Sequence, residues 1–162
     1  MTVDVRLREV SECDLHVFYE HQIDPDAIEM AAFPPRDRDA FMEHWTKKIL
    51  DNAPVVTRTI LVDDQVAGYV VTFQRSEREQ REVGYWIGKQ FWGRGVATRA
   101  LAAFLECDPA RPLYAHVAKH NRGSVRVLEK CGFTICDENP ALPVIGSGGD
   151  NVEEFLMRLD RG

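Results

Sequence analysis

The residues whose types and spacing bear most directly on chemistry lie between Val83 and Leu101, in the run VGYWIGKQFWGRGVATRAL. An apolar, strand-like stretch closes near Ile87, a turn carries Gly93 and Gly95, and amphipathic helical spacing begins directly afterwards. Glycines at such a turn let several backbone N–H groups converge beside a helix N-terminus, whose first N–H groups lack intrahelical partners and whose dipole favours anions. The turn is suited to hold phosphate; the alternative is an ordinary strand-to-helix loop that happens to use glycine. Two familiar phosphate motifs fail residue by residue. A P-loop needs GxxxxGK followed by Ser or Thr, whereas Gly88 to Gly95 reads GKQFWGRG, with Arg94 in place of Lys and Gly95 in place of the hydroxyl. A dinucleotide fingerprint needs GxGxxG and an acidic residue after the next strand, but Thr98 holds the third glycine position and Lys119 and His120 follow that strand.

The rest of the chain supplies elements that can position this turn. With 162 residues, 44% of them hydrophobic and 28% charged, it has the size and composition of one globular domain, spanning residues 1–162. A net charge of −6 argues against wrapping nucleic acid, so no nucleic-acid partner is expected. No apolar run approaches the roughly 18 residues of a membrane helix, and the charged start MTVDVRLREV lacks a signal core, so no membrane partner is expected either. Cys13, Cys107, Cys131 and Cys136 form no CxxC pair or dense framework, which points to a reducing cytoplasm.

Periodicity predicts a strand over Val3 to Val10, then a helix opened by Ser11 and Asp14 and running to about Tyr19. Residues 24–38 read as a helix remnant plus a loop, and Asp39 to Leu50 as a second helix. A hairpin over Val55 to Val62 and Val66 to Phe73 follows, then a strand over Glu82 to Ile87, with the charge run RSEREQR as the turn between. Gly95 to Glu106 gives a helix, Leu113 to Val117 a strand, Asn121 to Lys130 a helix, and Phe133 to Cys136 and Glu154 to Leu159 two strands. The order is βααβββαβαββ, an α/β fold with a mixed sheet, and residues 139–151 read as one flexible loop.

The pattern that survives at the turn, Gln90-x-x-Gly93-x-Gly95-x-Ala97, resembles the (Gln/Arg)xxGx(Gly/Ala) signature of the GNAT superfamily of acetyl-CoA-dependent N-acetyltransferases. GYWIG and FWGRGVAT at Gly84 to Thr98 resemble its Rim-type branch, named for enzymes that acetylate ribosomal-protein N-termini. Asn121 to Phe133, NRGSVRVLEKCGF, is similar to that branch's NxxSxxxxEKxGF helix and strand. Two motifs in the right order are more specific than either alone, and the element order also resembles the GNAT fold.

The resemblance implies a pair of central parallel strands that splay apart, with the pantetheine arm of acetyl-CoA in the wedge. Backbone groups of Trp86, Ile87 and Gly88 would bind that arm. The turn from Gln90 through Trp92, Gly93, Arg94, Gly95, Val96 and Ala97 to Thr98 would take the pyrophosphate. Residues 84–130 hold eight Lys and Arg against three acids, a basic island in an acidic chain that suits an anionic cosubstrate. Direct transfer to an amine needs a base, for which Glu82 is the candidate; the alternative makes it a solvated turn residue. Asn121 would bond the pantetheine amide or a nearby water, and Ser124 would meet the sulfur, against plain helix capping by Asn121 and surface exposure of Ser124. The acceptor wall in such folds comes from the first two helices and their connection, which points to Glu29, Met30 and Phe33, with His21 beside them; the alternative places Met30 and Phe33 in the core.

Two departures stand out. Many GNAT enzymes place a general-acid tyrosine on the last helix, seven residues after the Asn position, and here that residue is Leu128. Ser124 is the substitute the Rim-type resemblance suggests, with Tyr114 and His116 on the neighbouring strand as weaker alternatives. Arg99 also stands where Rim-type sequences often carry Glu. The expected activity is acetyl transfer from acetyl-CoA to a primary amine, a protein N-terminus or a small molecule, by direct attack without metal or covalent intermediate. Cys131 has no His/Asp relay in the sequence and reads as a structural thiol, and its spacing with Cys136, His116 and His120 matches no zinc pattern. The rival is a non-catalytic acyl-CoA-binding or sensing module. The oligomeric state is left open, a homodimer among the options.

Overall fold

β-Branched residues recur along Val56–Val62 (β2) and Gln65–Arg75 (β3), and with Gln80–Ile87 (β4) these strands build an antiparallel meander flanked by Val5–Arg8 (β1). The computed structural model describes residues 4–31, 37–49, 55–75, 80–137 and 154–160. Past the meander come a helix, Val96–Cys107 (α4), a strand, Leu113–Ala118 (β5), and a helix, Arg122–Lys130 (α5). Thr134–Asp137 (β6) and Glu154–Leu159 (β7) complete a seven-stranded sheet of order β1-β2-β3-β4-β5-β7-β6.

All neighbouring strands are antiparallel except β4 and β5, whose parallel pairing requires the crossover that α4 supplies. That pairing consists of one register position, Glu82 opposite Tyr114. Beyond it β4 follows β3 as far as Ile87 opposite Gly68, while β5 follows β7 as far as Ala118 opposite Glu154. The two halves of the sheet therefore part into a wedge, the splayed parallel pair expected from the sequence.

One sheet face packs on α4 and α5, where Val96, Leu101 and Phe104 meet Val70, Leu113 and Met157 in the main core. The other face carries a smaller core of Leu15, Phe18, Phe41 and Trp45, with Tyr69 of β3 meeting Trp45 edge-to-face at 4.7 Å between ring centroids. These side chains come from Asp14–Gln22 (α1) and from Arg38–Glu43 (α3), which continues in π-type turns over His44–Ile49. Asp14 Oδ2 accepts the Ser11 N–H at 2.9 Å, the return half of a capping box.

Three helices precede β2, one more than the sequence predicts. The supposed helix remnant is a separate helix, Pro25–Ala31 (α2). Asp24 caps it, with Oδ1 accepting the N–H groups of Asp26 and Ala27 at 2.9 and 3.3 Å, and Pro25 takes the first helical position, where no N–H is needed. α1 also runs on to Gln22, past the expected end near Tyr19. The anticipated loop over residues 139–151 lies outside the described residues, as does Phe33.

A buried polar knot fixes the far end of α4 to the sheet. Asp108 Oδ2 accepts from Thr72 Oγ1 at 2.6 Å and from Arg81 Nη2 at 2.9 Å, while Oδ1 accepts the Ala110 N–H at 3.2 Å. Burial pushes the carboxyl up, but these donors outweigh it and hold Asp108 below its ordinary 3.8. A carboxylate lowered in the folded state adds stability that is complete above its unfolded pKa and is lost as pH falls toward the folded value. Asp108→Asn should thus cost about 1.5 kcal/mol at neutral pH, the scale of a hydrogen bond to a charged group. The gap from wild type should narrow below about pH 4. Urea unfolding at neutral and acid pH checks both.

Candidate active site

The wedge leaves one backbone edge of β4 without a strand partner. Gly88 N–H donates to Ala67 O at 2.8 Å, so position 88 faces β3. By alternation Trp86 faces β3 as well, and a Cβ at Gly68 would lie 1.9 Å from its carbonyl oxygen, which is why glycine stands there. Val83, Tyr85 and Ile87 then turn their backbone groups toward the gap, and Trp92 Nε1 donates to Ile87 O at 2.9 Å across its mouth. Of the three residues expected to offer backbone to a pantetheine arm, Ile87 faces the gap, while the Gly88 N–H is committed to β3. Gly88 serves packing: a Cβ there would come within 2.5 Å of the His21 ring. Burial holds His21 below its ordinary 6.5 against the opposing pull of Glu20.

The wedge opens into a cleft of about 640 Å³ bordered by the glycine turn, by α5 and by Ala27 and Met30 of α2. At the turn Gly93 and Gly95 both adopt left-handed backbone, with φ of 77° and 75°. Gly95 is the N-cap of α4 and supplies no side-chain cap, and the first turn of α4 carries no acidic residue. The first N–H groups of α4 therefore open on the cleft uncapped, beside Val96, Ala97 and Thr98 in its wall. Arg122, Arg126 and Lys130 line the same cleft from α5 at helical spacing, so the α4 N-terminus shares it with a cationic stripe. That stripe was legible as an i, i+4, i+8 pattern, yet in the sequence it registers only as part of the basic island. Gln90 and Arg94 are exposed and lie outside the cleft wall, and Lys89 next to them pairs with Asp26 of α2.

Asn121 caps α5, its Oδ1 accepting the Ser124 N–H at 3.2 Å, and both residues line the cleft. Ser124 is half-buried, and its Oγ lies 2.5 Å from Tyr85 Oη. Tyr85 also lines the cleft and is a site residue the sequence reading missed, although it sits inside GYWIG. Burial pushes its phenol up to about 12, against the opposing pull of the bond to Ser124. Leu128, one turn further along α5, is 2% exposed and belongs to the core. Burial also raises the Cys131 thiol, whose Sγ contacts Thr98 O at 3.6 Å, an arrangement that disfavours the nucleophilic thiolate.

On the other face of the sheet, Glu82 stands where β4 and β5 part, only 2% exposed and so not a solvated turn residue. Its Oε1 lies 3.5 Å from His116 Nε2, and His116 Nδ1 lies 3.4 Å from Glu154 Oε1. One imidazole thus bridges two carboxylates across β4, β5 and β7. Trp86 shares the Glu82 face and donates through Nε1 to His21 O at 3.3 Å, which ties β4 to α1. Met30 is 38% exposed and lines the cleft, so it is not a core residue. Glu29 is exposed beside it, its carbonyl accepting from His120 Nε2 at 3.0 Å. Among the described residues, no group of three or more His, Cys, Asp and Glu could hold a metal ion.

Comparison with known proteins agrees with this architecture. A spermidine N-acetyltransferase from Vibrio cholerae, solved in complex with CoA and spermine, superposes with a TM-score of 0.80 at 19% identity over 97% of this chain and 95% of that one. The aminoglycoside acetyltransferase AAC(6')-Ib, solved with coenzyme A, superposes with a TM-score of 0.76 at 20% identity over 98% and 95%. Identities at that level show a shared fold. "Probable N-acetyltransferase YjcK" of Bacillus subtilis (strain 168) is 38% identical over 78 residues, which span 44% of this chain and 42% of that protein's length. The family model for the acetyltransferase (GNAT) domain matches residues 4–134, and the chain belongs to that family.

Proposed function

We propose that the protein transfers an acetyl group from acetyl-CoA, a cosubstrate consumed in each turnover, to a primary amine. The observation that carries this reading is the uncapped, left-handed glycine entry to α4, which opens on a cleft continuous with the β4/β5 wedge. The turn from Gln90 to Thr98, centred on the Trp92, Gly93 and Gly95 backbone, holds pyrophosphate against the α4 N-terminus. Arg122, Arg126 and Lys130 face it from α5, and the inward backbone of Tyr85 and Ile87 receives the pantetheine arm. The amide N–H groups of Asn121, whose Oδ1 is spent on the cap, meet that arm at the α5 end. Glu82 takes the proton that the acceptor ammonium must lose before its nitrogen can attack. Met30 and Glu29 border the acceptor's approach.

The acceptor is held at the level of a primary amine. The motifs resemble the Rim-type branch but depart from it at Arg99 and do not identify the amine, and the structural neighbours carry the names of spermidine and aminoglycoside acetyltransferases. A panel of N-terminal peptides, polyamines and aminoglycosides, assayed for free-thiol release from acetyl-CoA, separates these classes. Thiol release with one class and product mass raised by one acetyl group is the expected result. Tight CoA binding with no release from any amine would favour a non-catalytic acyl-CoA-binding module instead.

A further inference from the structure

The Tyr85 to Ser124 contact joins two hydroxyl side chains that line the cleft, one on β4 and one in the first turn of α5. In a hydrogen bond between two hydroxyls one O–H donates and the other keeps its proton for a third group. A phenol is the stronger acid and the better donor than an alcohol, so Tyr85 donates and Ser124 Oγ accepts. Helical serines often return their own proton to a carbonyl one turn earlier. Among the described residues Ser124 Oγ has no other hydrogen-bond partner, and its side chain borders the cleft.

We propose that Tyr85 is a positioning residue that aims the Ser124 hydroxyl proton at the sulfur of a thioester bound in the wedge. This rests on the acetyl-transfer reading above. The amine nitrogen attacks the thioester carbonyl, the C–N bond forms, the C–S bond breaks, and the electron pair leaves on sulfur. Of the two protons the ammonium loses, one ends on the sulfur and the other is released to solvent through Glu82. While sulfur carries the charge it accepts a hydrogen bond from Ser124, strengthened because Ser124 itself accepts from Tyr85. Tyr85 gives up no proton, since a phenol lifted to about 12 stays well above an ordinary thiol. The hydrogen bond to sulfur that Leu128 cannot provide is thereby provided by Ser124 one turn earlier on α5, held in its orientation from β4.

The test combines kinetics with a titration that needs no acceptor. Tyr85→Phe removes one oxygen and should lower kcat about fivefold with KM for acetyl-CoA nearly unchanged, the scale of one neutral hydrogen bond made mainly in the transition state. Ser124→Ala should lower kcat about tenfold, and Tyr85→Phe on that background should cost nothing further, because Tyr85 acts only through Ser124. In the CoA complex, the pH at which the bound thiol ionises, read from thiolate ultraviolet absorbance, should rise by about half a unit in Tyr85→Phe. Full kcat in Tyr85→Phe, additive losses in the double variant, or an unmoved thiol titration would each overturn the role of Tyr85. If wild type releases no thiol with any amine, the acetyl-transfer reading fails, and the titration alone still decides whether Tyr85 aims Ser124 at sulfur.

Discussion

Glu82→Gln is expected to lower turnover by about a hundredfold, the usual scale for removing a general base, while CoA affinity stays as in wild type. The substitution keeps the shape of the side chain and a hydrogen-bonding end toward His116, so what it removes is the ability to take a proton. Glu82 is buried at the point where β4 and β5 part, which places it next to the wedge and outside the lining of the cleft that carries the glycine turn proposed for phosphate. The competing account makes Glu82 a structural partner of His116 and Glu154. On that account, breaking the buried contact costs stability of about 3 to 5 kcal/mol and leaves kcat of the folded fraction intact. Steady-state rates across about pH 6 to 9, with thermal unfolding of the same preparations, separate the two. A stable variant with near-normal turnover would remove Glu82 from the chemistry.

What the sequence made legible, and what it hid, follows from the range of the interactions involved. The α4 entry could be read because its cause is local: Gly93 and Gly95 stand where the chain needs left-handed backbone, and the helix pattern starts one residue later. The Asn121 cap was readable for the same reason, its partner Ser124 being three residues away. α2 was missed as a separate helix although the Asp24-Pro25 pair that starts it is also local, because seven residues between prolines look too short to hold a helix until Lys89 and the cleft give it a place to pack. Tyr85 was out of reach. Alternation along β4 puts it on the α4/α5 face, but only the fold brings Ser124 to it across 39 residues of sequence. Glu82 was picked out for its place on the strand, while its burial and its approach to His116 and Glu154 depend on three strands meeting.

Gly95→Val should weaken CoA binding by about thirtyfold or more, roughly 2 kcal/mol, with the folded protein retained. A Cβ at Gly95 would meet no protein atom within 4 Å, so the side chain grows into open space at a residue that lines the cleft and not into the core. Two effects then add. A β-branched residue resists the left-handed φ of 75° and pulls the first N–H groups of α4 out of their convergent arrangement. The side chain also occupies the space where pyrophosphate oxygens would accept from those N–H groups. Gly95→Asn divides the two, because asparagine tolerates left-handed backbone yet still fills the space. Calorimetry with CoA on the three proteins reads the division directly. Asparagine binding as weakly as valine assigns the loss to lost space, and asparagine binding like glycine assigns it to backbone geometry. Unchanged affinity in a folded Gly95→Val protein would move the pyrophosphate away from the α4 N-terminus altogether, and the cationic stripe of Arg122, Arg126 and Lys130 would then have to hold it from α5.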